Sequence, residues 1–249
     1  LEAEKYGRAG IVRFYKPAFQ YSNPDSNFYS NRLYRAILKG FFSDRALLET
    51  ILKERYGVAA GYADPRDEFQ DFTLDELQYL ATVFEDLPPG FHHIPGLNKV
   101  VRRKNGLTNP LHPLAPAIAW VSSDYIEFMD FAFTNSNEDY IRRLITHEMT
   151  HFVWHKILSE ETRNQFMKLS GWSKTIPVGG ISASAGKATD HPKALSIADK
   201  IELWYRTTTT NFVSDYAAAL NPDEDFAETV SYYIYQPDKV RSFAPDKYN

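Results

Sequence analysis

The 249-residue chain has 43% hydrophobic residues, a formal charge of −4 and no cysteine. That length allows one large domain or two small ones with a sizeable core. The absence of cysteine excludes disulfides, thiolate nucleophiles and thiolate-ligated metal sites, and the balance of 28 Lys+Arg against 32 Asp+Glu excludes a net basic footprint for nucleic acid or anionic membrane.

Residues 1–28 are aromatic and polar without a clear period, and Tyr21 to Asn27 reads as a loop. A helix is predicted over about Asn31 to Phe41. A second takes Ser43 as N-cap and carries Leu47, Leu48, Ile51 and Leu52 at helical spacing. A third begins at Thr73, whose distance to Glu76 is that of a capping box, and stops at Pro88-Pro89-Gly90. The texture changes there. This divides the chain into an N-terminal helical region, 1–90, and a core, 91–249. Short strands are predicted at Lys99 to Arg102, Ala117 to Val121 and Tyr125 to Phe128. The basic cluster Arg102-Arg103-Lys104 reads as a solvated strand end. A long helix is predicted from Asn137 to Leu158, and another from Ser159 to Leu169. Residues 173–192 form a long loop rich in Gly, Ser and Ala. A helix near Ala194 to Trp204 comes next. The last helix runs from Pro222 to Tyr235, with Asn221 as N-cap and Pro222 at its first position. No internal repeat, signal peptide or apolar run long enough to span a membrane is visible. Oligomeric state is not legible.

The helix predicted over 137–158 contains His147-Glu148-Met149-Thr150-His151, an HExxH pattern. Two imidazoles four residues apart stand on one helix face and reach one metal ion. Glu148, beside them, is placed to take a proton from a water that zinc activates near neutral pH. The surrounding residues Ile141, Leu144, Ile145, Met149, Phe152, Val153, Trp154, Ile157 and Leu158 mark a buried helix. Two His and a Glu are costly there unless paired or bound to metal.

A catalytic zinc needs a third protein ligand and one open position. Trp154 and Ile157 occupy the glycine and third-histidine positions of the metzincin extension, which excludes that class. His155 lies one turn past His151, but a straight helix cannot wrap three successive turns around one ion. His92, His93, His112 and His191 fall in loops. Glu224 and Glu228, four apart on the 222–235 helix, are the stronger candidates. One would complete the metal site, and the other would accept the N–H of a ligating histidine. Asn221 with Glu224 is also the spacing of an ordinary helix cap.

His147-Glu148-x-x-His151 with Glu224-x-x-x-Glu228 resembles the gluzincin metallopeptidases. Tyr216-Ala217 followed by Asn221-Pro222-x-Glu224-Asp225-Phe226-Ala227-Glu228 is similar to lethal-factor-like peptidases and to zinc-binding metallopeptidases of bacterial surface lipoproteins. The resemblance covers about residues 115–240. It implies an α+β, mainly helical zincin-like fold with a small mixed sheet. It also implies Zn2+ held by His147, His151 and Glu224. Glu148 becomes the general base, Glu228 the carboxylate behind a ligand, and Tyr216 the stabiliser of the oxyanion. The implied partner is a peptide or protein substrate in an extracytoplasmic setting. In such a fold an edge strand ahead of the HExxH helix binds substrate backbone, and Tyr125 to Phe128 is the candidate, or else an ordinary sheet strand. The 179–186 segment is a candidate lid or a plain surface loop. A zinc amidase acting on cell-wall peptides and a non-catalytic binding protein on the same fold are the alternatives.

Overall fold

The structure is a computed structural model. It describes residues 44–61, 67–134, 137–174, 181–182, 204–208 and 210–248. The loop expected at 21–27, the helices expected at 31–41 and 194–204, His191 and most of the 173–192 segment lie outside these residues. The chain divides into two compact units, Leu1–Lys156 and Ile157–Asn249, each mixing helix with sheet in an α+β arrangement.

In the first unit, α1 (Arg45–Tyr56) is capped by Asp44, one residue later than expected. The Asp44 carboxylate accepts from the backbone N–H groups of Ala46 and Leu47. Gly57 ends the helix at φ 74°, a left-handed conformation that favours glycine. Two short strands come next, β1 (Ala59–Ala60) and β2 (Phe69–Gln70), then α2 (Leu74–Asp86). The Thr73/Glu76 capping box is formed in both directions. Beyond α2 lie β3 (Lys99–Arg103), β4 (Ala117–Trp120) and β5 (Tyr125–Phe128). A short α3 (Phe131–Thr134) leads into α4 (Glu138–Phe152).

These strands make one mixed sheet in the order β1-β3-β5-β4, with β2 also pairing β3. β1, β3 and β5 run parallel, while β4 is antiparallel to β5. β1 and β2 precede residue 90 and pair with β3, which lies beyond it. Strand β5 has neighbours on both sides. The expectation that Tyr125 to Phe128 is an edge strand is incorrect, because its ladder positions are taken by β3 and β4. β4 is the edge. Met129 N–H donates to the Pro116 carbonyl at 2.9 Å, and Ile118 stands opposite Glu127. In an antiparallel ladder this alternation aims the backbone groups of Ile118 and Trp120 at β5 and leaves those of Ala117 and Ala119 facing outward.

Helix α2 packs on α1 and on α4, and α4 packs on β4. Leu48, Leu52, Leu77, Leu80, Phe84, Val100, Ile126, Phe128, Ile145 and Met149 are buried in this core. Arg102 and Arg103 are buried as well, which corrects the solvated strand end. Adjacent strand residues point to opposite faces, so each arginine meets its own carboxylates. Arg102 pairs with Glu76 at 3.0 Å and Asp130 at 2.9 Å. Arg103 pairs with Glu127, whose second oxygen accepts from Asn109 at 3.0 Å and from the Trp120 indole at 2.8 Å. The pairing offsets a burial that would otherwise be prohibitive.

The predicted 137–158 helix is α-helical only to Phe152 and continues as a π turn over Val153–Ile157. The wider turn rotates the end of the helix, so His155, Lys156 and Ile157 are exposed while His147 and His151 are buried.

The second unit has α5 (Glu160–Leu169), capped by Ser159, and two-residue strands β6 (Trp172–Ser173), β7 (Ile181–Ser182) and β8 (Tyr205–Arg206). β8 lies between the other two in an antiparallel sheet. Strands this short carry no period, so the sequence shows none of them. Helices α6 (Asp215–Ala219), α7 (Pro222–Tyr235), α8 (Pro237–Phe243) and α9 (Pro245–Tyr248) complete the unit. Its core joins Trp172, Phe212, Val213, Ala217, Ala218, Tyr232, Val240 and Ala244. No helix among the described residues is long and apolar enough to cross a membrane.

Candidate metal centre

Helix α4 is opened by Asn137, whose side chain accepts from the N–H groups of Asp139 and Tyr140. Glu138 and Asp139 then complement the positive end of the helix. Arg142 ties the first turns to Asp86 at 3.0 Å. The helix reaches its HExxH turn anchored on α2.

There, His147 and His151 are 7% and 8% exposed, and Glu148 is 6% exposed. The two Nε2 atoms approach to 3.2 Å, with the rings at 80° to one another. Either one imidazole donates to the other, or both lone pairs converge on a shared cation. Zinc binds imidazole nitrogen at about 2.0–2.1 Å in tetrahedral geometry, which places two such nitrogens about 3.3 Å apart. The observed separation fits that arrangement. The spacing of HExxH thus does what its periodicity requires: the two donors meet and Glu148 stays buried between them in sequence.

The other candidates are in the second unit. Asn221 accepts from the N–H groups of Asp223 and Glu224 at 2.9 and 3.0 Å, so Glu224 is the third residue of a capped helix. Glu228, one turn on, accepts from the Ser214 hydroxyl at 2.6 Å. Ser214 is the N-cap of α6 and accepts in turn from Ala217 N–H at 3.0 Å. Tyr216 lies in that helix and is 49% exposed. Ser214 was not singled out in the sequence, although a serine ahead of Asp-Tyr-Ala-Ala-Ala is a recognisable cap.

Between Glu224 and Glu228 lies Asp225, fully buried with Lys247 at 2.6 and 2.8 Å. It also accepts from the Trp172 indole at 3.0 Å. Burial pushes the Asp225 carboxyl up and the Lys247 amine down, while their mutual attraction and hydrogen bonding oppose both changes. The ammonium also stands 4.4 Å from the Phe212 ring centre and 5.2 Å from that of Phe166. No periodic signal marks Lys247, since the pair spans 22 residues.

The other described histidines lie in the first unit. His92 packs edge-on against Tyr56, and burial, with the charge of Arg55 second, lowers its pKa to about 4. His112 packs edge-on against Trp120 with ring centres 6.0 Å apart. His93 is exposed at φ 56°. His155 is exposed on the π turn.

Comparison with protein-family models, with curated proteins and with solved structures returns no match for the chain.

Proposed function

We propose that the protein is a zinc-dependent peptidase with a gluzincin-like centre on a zincin-like fold, acting on peptide or protein substrates outside the cytoplasm. The observation that carries this is the convergence of two buried imidazoles at 3.2 Å on a helix whose HExxH pattern also supplies Glu148. His147, His151 and Glu224 are a donor set able to hold a metal ion. Two nitrogens and one carboxylate leave a fourth position open, as hydrolytic zinc requires. Zinc supplies a Lewis acid and lowers the pKa of its water to about 7.

The chain's own residues do the rest. Glu148 accepts the proton of the attacking water and returns it to the leaving amine. Tyr216 donates its phenolic hydrogen bond to the developing oxyanion. Glu228 accepts from a ligating imidazole and fixes its tautomer. The outward backbone groups of Ala117 and Ala119 on β4 bind an extended peptide as an added strand.

Purified protein should carry about one zinc per chain and cleave peptides from a random library. A folded protein that takes up no zinc overturns the assignment. A zinc-loaded protein that cleaves cell-wall peptides and no protein sequence would instead make it the amidase.

A further inference from the structure

The Tyr216 helix is only five residues long. A helix of that length does not hold itself, because nucleation costs more than so few hydrogen bonds return. Its place must come from its neighbours. Behind Tyr216, Ala217 and Ala218 are buried in the second unit's core. Ahead of it, Ser214 caps the turn and directs its one hydroxyl hydrogen to Glu228 at 2.6 Å. The relay has a single direction: Ala217 N–H donates to Ser214, and Ser214 O–H donates to the Glu228 carboxylate. A hydroxyl–carboxylate bond of this length is charge-assisted and stronger than a neutral one. Glu228 stands one turn beyond Glu224 on the same capped helix.

We infer that Ser214 is a positioning residue for Tyr216, and that it registers the tyrosine against the helix that carries Glu224. The inference rests on the peptidase reading for the chemistry of Tyr216, while the Ala217–Ser214–Glu228 relay is observed directly. One carboxylate oxygen serves Ser214, and a carboxylate has lone pairs enough to serve a histidine as well. Glu228 therefore ties the Tyr216 helix to the helix that carries Glu224.

The test is a double-mutant cycle on the zinc-loaded full chain, scored by kcat, KM and zinc content. Tyr216→Phe should lower kcat by roughly 10²–10³-fold, as loss of one oxyanion donor does. Ser214→Ala should lower kcat by about 10-fold, the scale of a lost cap, with KM and zinc content unchanged. Ser214→Thr should recover most of it. In the Tyr216→Phe background, Ser214→Ala should change kcat by less than about 2-fold, because there is no donor left to position. An equal loss in both backgrounds would reveal a merely structural serine and overturn the inference, as would a Ser214→Ala protein with wild-type kcat. A wild-type chain that holds zinc and hydrolyses nothing overturns the peptidase reading, and the role given to Tyr216 falls with it.

Discussion

The two units hold their charged residues in place by different means. In the first, buried charges are attached to a five-stranded sheet: Arg102 and Arg103 sit on β3 and meet carboxylates from flanking elements. The candidate donors His147 and His151 ride on a 15-residue helix inside an aliphatic and aromatic core. Among its described residues, the second unit has two-residue strands and a core around Trp172, Phe212 and Tyr232. Helix α7, which carries the candidate carboxylates, is held by polar ties at Asn221, at Ser214 through Glu228, and at Lys247 through Asp225. Packing fixes the histidines, whereas hydrogen bonds and one buried ion pair fix the carboxylates. Substitutions of these polar ties should therefore disturb the candidate carboxylates more than the histidines.

The largest expected effect belongs to the rigid side. Glu148→Gln keeps the size of the side chain and removes its basicity. It should retain zinc and lower hydrolysis on the order of 10²–10⁴-fold. Because core packing surrounds the HExxH turn and the substitution keeps the side chain's size, the melting temperature should barely move. Undiminished activity would remove Glu148 as the base. A large loss of stability would show that its charge helps hold the helix after all.

Lys247→Met tests the other side. It leaves Asp225 buried without its cation, a change that costs about 3–5 kcal/mol in comparable pairs. Amide exchange should show the loss in α7 and in the Trp172 region, with the sheet of the first unit still protected. Equal loss of protection in both units would mean that they unfold together, and that packing and polar ties do not divide between them.

The same contrast explains what the sequence disclosed. Local signals were legible. The Thr73 cap, the HExxH helix, the Ser159 and Asn221 caps and the strands at 99, 117 and 125 all express a period or a cap within a few residues. Non-local pairing was not legible. Nothing in Tyr125 to Phe128 tells whether one or both of its edges are taken, because the second partner, β3, joins Lys99 to Tyr125 across the whole of β4. Arg102 and Arg103 look like a basic patch until Glu76, Glu127 and Asp130 arrive from other elements. The π turn was hidden too, since an apolar run does not reveal a change of pitch. In the site itself, the two histidines were legible from spacing alone, while the relay through Ser214 required the chain to turn back from α7 to α6.

In the first unit, His92 is the histidine whose burial couples mild acid to stability. His92 has its pKa lowered from 6.5 to about 4. Between those values the unfolded chain takes up a proton that the folded one refuses, so stability is full above about pH 6.5 and declines as pH falls toward 4. The drop corresponds to about 3 kcal/mol. Denaturant titrations at pH 7 and pH 4.5 should show it, and His92→Gln should remove most of the difference. A wild-type profile no steeper than that of His92→Gln would show that the imidazole titrates normally.

The smallest effect separates the units most cleanly. Both helices that carry candidate ligands begin with an asparagine cap, Asn137 on α4 and Asn221 on α7. Replacing either with alanine should cost about 1 kcal/mol of stability. The consequences for zinc should differ. Asn137 stands ten residues before His147, and core packing lies between them. Asn221 bonds the N–H of Glu224 itself at 3.0 Å. Asn221→Ala should therefore weaken zinc binding several-fold, while Asn137→Ala should leave it unchanged at equal loss of stability. If the two variants weaken zinc alike, the metal senses overall stability rather than the local tie. Glu224 would then be no more dependent on its cap than the histidines are on theirs.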